Sequence, residues 1–221
     1  MAGIKPQGKV KIKWSPKFAY AIGLLATDGN LANDRRHMNF TSKDEELALL
    51  FKECLGLSNK IGKKTRGTKP FKKYYFIQFG DVLFYKFLLG IGLTPAKSKT
   101  LGTVDVPKKY FFDFLRGLFD GDGSFYSYYD PRWRSSFMFY TTFVSASREH
   151  IEWLRSILKK KLMVIGYVTF GGRGNGYYQL RYAKKESLKI IKKMYYTPAV
   201  ACLGRKRLKI QRALGIIGIV L

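Results

Sequence analysis

The sequence predicts an α+β fold: a pseudo-two-fold pair of αββαββα units, residues 1–105 and 106–221. Two internal echoes carry that prediction. "FAYAIGLLATDGN" (Phe18 to Asn30) and "FFDFLRGLFDGDGS" (Phe111 to Ser124) are both apolar runs closing on Asp-Gly, 94 residues apart from Asp28 to Asp122. "YYFIQFGDVLFYKFLLGIGLTPA" (from Tyr74) aligns without a gap on "YYQLRYAKKESLKIIKKMYYTPA" (from Tyr177), at an offset of 103. The same offset sets "FTSKDEELALLFKECLG" (from Phe40) on "FVSASREHIEWLRSILK" (from Phe143). The offset grows from 94 to 103, so the second unit holds about nine extra residues, around "YSYYDPRWRSS". No Pro/Gly-rich linker divides the two units.

Each unit reads helix, two strands, helix, two strands, helix. The first helix starts at Ser15-Pro16, a capping residue followed by proline at the first helical position, and Gly29 ends it. Its second copy runs from near Pro107 to Gly123. Strands are expected in the Tyr-, Phe- and Thr-rich runs "RRHMNFTS", "YYFIQFG", "SSFMFYTTFVS" and "GYYQLRY". Asp44 and Ser147 fall at matched N-cap positions. Behind them Leu50, Phe51, Cys54 and Leu55 meet Trp153, Leu154, Ile157 and Leu158 at a helical period. Long basic or glycine-rich turns, "GKKTRGTKPFKK" and "FGGRGNG", join the strands. The final "LGIIGIVL" is too short to span a bilayer and reads as a packed C-terminal end.

Composition narrows the partner. The chain has 41 basic and 15 acidic residues among 221, a formal charge of +26. Residues 1–105 carry 19 basic and 8 acidic side chains, hence +11; residues 106–221 carry 22 and 7, hence +15. Charge so large and so evenly spread points to a polyanion, nucleic acid before an anionic membrane. The basic residues interleave with strand patterns instead of lining one helix, which argues against a membrane partner. Cys54 and Cys202 stand alone, without zinc spacing. They fit an intracellular setting: cytoplasm or nucleoid, or an organelle in a eukaryotic source. The basic N-terminus lacks the apolar run of a signal peptide.

The repeated phrase itself carries chemistry. Gly23 and Thr27 are four residues apart, as are Gly117 and Gly121, so each pair shares a helix face. Small residues on one face let a second backbone approach closely, and the natural partner of each helix is its own copy. Asp28 and Asp122 then sit at helix C-termini, where the macrodipole is already negative. Two carboxylates and two negative helix ends side by side call for a cation. Hard oxygen ligands with water suit Mg²⁺, or another divalent ion such as Mn²⁺. A divalent ion in a basic protein suggests phosphodiester hydrolysis.

On these residues the chain resembles the LAGLIDADG homing endonucleases in their single-chain, two-motif form: "AIGLLATDG" and "LRGLFDGDG" match the two signature motifs. The resemblance implies two antiparallel, saddle-shaped sheets packed through the paired motif helices and lying in the DNA major groove. It implies a monomer that makes a metal-dependent double-strand break at a long site, leaving short 3′ overhangs, in intron or intein homing. It places the metal-binding acids on Asp28 and Asp122. Ala26 departs from the motif, where Asp120 keeps the acid, at a position that is structural in the family. A basic residue near each active site, typical of the family, falls on Lys97 and, because the position aligned with Lys97 is Val200, on Lys206; Lys99 competes with Lys97. The strand-end position falls on Ser42-Lys43 in the first unit and on Ser145-Ala146 in the second, so Lys43 has no partner and the two sites are unequal.

DNA would be read by alternate strand residues. Gln78 and, by the 103 offset, Arg181 mark the more polar face, which also holds Gln179; in the neighbouring strands His37 and Asn39 match Tyr140 and Thr142. Lys63, Lys64, Arg66, Lys69, Lys72, Lys73, Arg173 and Asn175 in the turns, with Arg132 and Arg134 in the extra segment, are expected on phosphates. A non-cleaving DNA-binding regulator or an RNA-splicing maturase of the same fold is the alternative. The presence of both aspartates favours the enzyme.

Overall fold

The computed structural model describes residues 8–65, 73–172 and 176–221. The first unit runs α1 (Pro16–Asp28), β1 (Gly29–Leu31), β2 (His37–Ser42), α2 (Glu45–Leu55), β3 (Gly62–Thr65), β4 (Lys73–Gly80) and α3 (Val82–Gly90). A 3₁₀ turn (Lys108–Tyr110) leads into the second: α4 (Phe111–Gly121), β5 (Ser124–Asp130), β6 (Trp133–Ser145), α5 (Arg148–Leu162), β7 (Tyr167–Gly171), β8 (Tyr177–Ala183), α6 (Lys184–Met194) and α7 (Gly204–Ile216). The strands form two four-stranded antiparallel sheets of identical order, β1-β2-β4-β3 and β5-β6-β8-β7. This is an α+β fold of two duplicated units.

The strands alternate as half-buried sheets do. Met38, Phe40, Ile77 and Phe79 of the first sheet, and Phe139, Phe143, Leu180 and Tyr182 of the second, are buried under the helices. Between the sheets lie α1 and α4, side by side, with every residue from Phe18 to Ala26 buried. The Ser15 hydroxyl accepts from Phe18 N at 3.1 Å and caps α1, with Pro16 at its first turn. Among the described residues no helix is long and apolar enough to cross a membrane.

Five features differ from the sequence reading. The basic turn "GKKTRGTKPFKK" begins as edge strand β3, whose lysines hide any β pattern yet suit a sheet edge. "FGGRGNG" likewise begins inside β7. The extra segment "YSYYDPRWRSS" is a hairpin: β5 and the start of β6 pair up to Asp130↔Trp133, so the added residues lengthen two strands. The C-terminal α7 was not anticipated, because its seven-residue start "GRKRLKI" is mostly basic and no side chain caps it. Asp44 occupies the N-cap of α2 but makes no capping bond there. Its carboxylate receives two bonds of 2.8 Å from Arg205 instead, a bidentate guanidinium pair outcompeting a single amide.

Candidate active site at the helix seam

The seam between α1 and α4 is a backbone-to-backbone contact. A Cβ built on Gly23 would lie 2.2 Å from the Phe114 carbonyl oxygen, and one on Gly117 would lie 2.2 Å from that of Tyr20. A Cβ on Gly121 would lie 2.1 Å from the Thr27 hydroxyl, which itself donates to the Leu24 carbonyl at 3.0 Å. Only glycine fits at these three positions.

The seam delivers its two helix ends to one place. Asp28 ends α1 and Asp122 caps α4, and both face an open cleft bordered by Ser42, Lys43, Lys64 and Arg205. Burial pushes the half-buried Asp28 carboxyl up to about 7, and the neighbouring Asp122 charge adds to the rise; Lys206 and Lys97 oppose it. Asp122 is open to the cleft at its surface, yet the protein packed behind it raises its carboxyl too, against Lys206 and Lys97. Each acid is thus held where its negative charge is under-solvated and a cation is favoured.

Two buried lysines supply part of that positive charge. Lys97, from the turn after α3, donates to the Gly29 carbonyl at the end of α1. Lys206, from the first turn of α7, donates to the carbonyls of Phe119 (2.5 Å), Asp120 (2.9 Å), Gly121 (3.4 Å) and Gly123 (2.6 Å) at the end of α4. Each ammonium sits on the negative end of a helix dipole. Burial lowers both to about 8, with the acids opposing the drop. Lys99, the competitor, is exposed.

The path of the chain to Lys206 is pinned from α4. The fully buried Arg116 bonds Asp113 at 2.7 Å, the Ala201 carbonyl at 2.7 Å and the Met194 carbonyl. Asp120 accepts from Leu203 N at 2.7 Å and from the Tyr20 hydroxyl at 2.8 Å. This is the motif acid that the first copy replaces by Ala26, and here it fixes the start of α7.

The sheet faces opposite the helices hold Asn39 directly across from Gln78, and Thr142 directly across from Arg181. Arg181 Nε donates to Gln179 Oε1 at 2.9 Å, and Tyr140 lies beside Arg181 in an open groove. His37 is engaged by Asp34, at 2.5 Å from Nδ1. Lys64 shares this open face, opposite Tyr74, whereas Lys63 pairs with Tyr75 and so falls on the helix side; the strand period separates the two lysines. Lys43 lines the cleft with its ammonium 5.8 Å from the Tyr74 ring. Arg132 is bound to Asp130 by bonds of 3.0–3.1 Å, so its charge is locally paired. Arg66, Lys69, Lys72, Arg173 and Asn175 lie outside the described residues, as do the side chains of Lys73 and Arg134. Sequence reasoning missed Tyr126, Tyr128 and Tyr167 on the second open face. The alternation of Tyr126 and Tyr128 in "SFYSYYD" is the available signal for those two; Tyr167 opens β7 and has no such pattern.

Among the described residues no three His, Cys, Asp or Glu side chains gather as in a protein-only metal cage. Two carboxylates are nonetheless the donor set that Mg²⁺ ordinarily takes from a protein when substrate phosphates and water complete its shell. The under-solvated pair fits such an ion.

Comparison with known proteins agrees with this architecture. Residues 111–194 match the model of the LAGLIDADG-like domain. The structure of the LAGLIDADG homing endonuclease I-GzeII in complex with its DNA target superposes with a TM-score of 0.60 at 11% identity, covering 93% of this chain and 92% of that one. I-DmoI in complex with DNA and Mn superposes with a TM-score of 0.53 at 16% identity, over 82% and 97%. Full-length DUF199/WhiA from Thermatoga maritima gives 0.56 at 16% identity; it covers 96% of this chain, which spans 64% of WhiA. No curated protein matches significantly. The chain has the LAGLIDADG fold, two units in one polypeptide, and residues 111–194 of the second resemble the LAGLIDADG-like domain.

Proposed function

We propose that this protein is a site-specific DNA endonuclease. It makes a double-strand break at a long recognition site by divalent-metal-dependent phosphodiester hydrolysis, in the service of intron or intein homing. The observation that carries the reading is the convergence of Asp28 and Asp122 on one cleft, each at a helix end backed by a buried lysine. Asp28 and Asp122 would hold the ion. When bound, Mg²⁺ or Mn²⁺ would stabilise charge on the phosphate and make water a better nucleophile. Lys97 and Lys206 keep the helix ends from repelling the phosphate. Lys43 and Lys64, at the rim of the cleft, attract the backbone of the duplex. The open sheet faces, with Asn39, Gln78, Gln179 and Arg181, read base edges in the major groove. Both motifs lie in one chain, so a monomer suffices.

Binding without cleavage is the second reading, since the fold of WhiA is also this fold. The acid pair, which binding alone does not require, favours cleavage. Incubation with Mg²⁺ and a library of duplex targets, followed by sequencing of the cut ends, tests the choice. Paired cuts at one enriched sequence, abolished by EDTA, are expected. Selective binding with no cut in Mg²⁺ or Mn²⁺ would replace the first reading by the second.

A further inference from the structure

His150, at the start of α5, is not accounted for by the site as described. It is 2% exposed. Its Nδ1 lies 2.8 Å from the Gly102 carbonyl oxygen, which can only accept, so Nδ1 carries the proton and Nε2 the lone pair. The Trp153 ring, 5.2 Å away, packs against the imidazole and fixes it. Nε2 is buried and has no hydrogen-bond partner in the protein. An orphaned buried acceptor is destabilising unless something donates to it.

The ring lines a small cavity with about 20 Å³ of water-accessible space, enough for one water. Asp122, Ser145 and Thr27 supply the other polar side chains of its wall. Asp122 therefore stands between this cavity and the open cleft. The Thr27 hydroxyl donates to the Leu24 carbonyl, and Ser145 Oγ, which accepts from Ser147 N at 3.1 Å, makes no bond to Nε2. An ionised carboxylate only accepts, and so does Nε2. Two acceptors on residues that line one space are satisfied by a molecule with two donors, and water is the smallest.

We propose that one buried water joins His150 Nε2 to the Asp122 carboxylate, and that His150 is through it a positioning residue for the second acid. The first unit has no such device. At the 103-residue offset His150 falls on Leu47, a buried apolar residue. The asymmetry complements that of Lys43, whose counterpart is Ala146. The water stands on the cavity alone; the catalytic consequence rests on the endonuclease reading above.

The test has two arms. A crystal structure of the wild type at a resolution that places waters should show one within hydrogen-bond distance of both Nε2 and an Asp122 oxygen. A dry cavity, or a protein donor on Nε2, overturns the proposal. In the second arm His150→Leu copies the first unit, and His150→Gln keeps an acceptor. His150→Leu also removes the donor to the Gly102 carbonyl and should melt somewhat below wild type, so the strand-by-strand comparison, not total activity, carries this arm. His150→Leu should slow cleavage of the strand that Asp122→Asn protects by about 10–100-fold, the usual cost of losing a group that orients a metal ligand. The other strand should be cut at the wild-type rate, and His150→Gln should recover most of the loss. Equal slowing of both strands, or no slowing of either, overturns the positioning role. A wild type that cuts no DNA removes the endonuclease reading, and the crystallographic water then decides this proposal by itself.

Discussion

The two units meet the same electrostatic demand from different places in the chain. At the end of α1 a single carbonyl, that of Gly29, receives Lys97 from the turn after α3. At the end of α4 four carbonyls receive Lys206, which arrives on a helix that the first unit lacks. The position aligned with Lys97 is Val200. Asp120 and Arg116 hold the second route, and Ala26 stands where Asp120 would be. The sheets differ in the same way. The first open face centres on Asn39 and Gln78. The second is tyrosine-rich, with Tyr126, Tyr128 and Tyr140 stacked at 5.4 and 6.4 Å around an open groove that Arg181 also lines. A duplicated backbone thus fixes where negative helix ends fall, while the groups that answer them are free to come from any segment that reaches. The halves should therefore respond unequally to equivalent changes.

The largest effect is expected at the acids. Asp28→Asn or Asp122→Asn should abolish double-strand cleavage, slowing it roughly a thousand-fold or more, since several kcal/mol of charge stabilisation are lost. DNA binding should survive in a gel-shift assay. Because Lys43 is unmatched, the two variants should leave unequal amounts of nicked plasmid; identical residual nicking would show the sites to be equivalent.

Next comes the seam, where the halves are alike. Gly117→Leu places a side chain where a Cβ already meets the Tyr20 carbonyl at 2.2 Å. Overpacking of this kind costs about 1–3 kcal/mol or more, and thermal melting should fall clearly. A wild-type melting temperature would contradict the contact.

The lysines separate the halves again. Lys206→Met strips four carbonyls of their donor and Lys97→Met strips one. Hydrogen bonds to charged groups contribute about 1.5–3 kcal/mol each in favourable cases. Lys206→Met should therefore lower the denaturant midpoint more than Lys97→Met. The reverse order would mean that Lys97 holds more than its single carbonyl.

A pH series sharpens the contrast. Asp28 has its carboxyl raised from 3.8 to about 7 in the fold, so folding favours its protonated form. Its contribution is full below pH 3.8 and is lost as pH rises through about 7. Lys97 and Lys206, lowered from 10.5 to about 8, act at the alkaline end: their share is present above 10.5 and lost as pH falls through 8. In EDTA, melting of the wild type should decline between pH 5 and 7 more than that of Asp28→Asn. Parallel curves would contradict the burial of that acid.

The smallest effects concern readout. Arg181→Ala should relax preference at one or a few adjacent base pairs in one half-site, about 1–3 kcal/mol of discrimination. Lys64→Ala should weaken binding to all sequences alike and flatten the slope of log affinity against log salt by about one. Library binding profiles at two salt concentrations distinguish them. Uniform loss with Arg181→Ala would put Arg181 on a phosphate.

Much of this comparison was legible in the sequence, because a repeat amplifies weak local signals. Asp-Gly after one apolar run marks a turn; the same phrase twice, with small residues at matched spacing, marks a helix pair with two carboxylates at its end. What stayed hidden was hidden for physical reasons. Strand β3 and helix α7 carry so many basic residues that their hydrophobic period is faint, and tertiary contacts decide their form. Lys63 and Lys64 read alike in sequence because a turn has no alternating faces. His150 aligned with an apolar core position, and no local pattern shows that its Nε2 would lack a partner. The Arg205–Asp44 pair joins residues 161 apart and has no local signature either.

Asp28 and Asp122 should act as one cation-holding pair. Anomalous scattering from Mn²⁺ in crystals of the protein bound to its selected DNA target measures this directly. A manganese peak within coordination distance of both carboxylates is predicted, lost in Asp28→Asn and in Asp122→Asn. Manganese bound only elsewhere, with both carboxylates free of it, would contradict the pairing of the two acids.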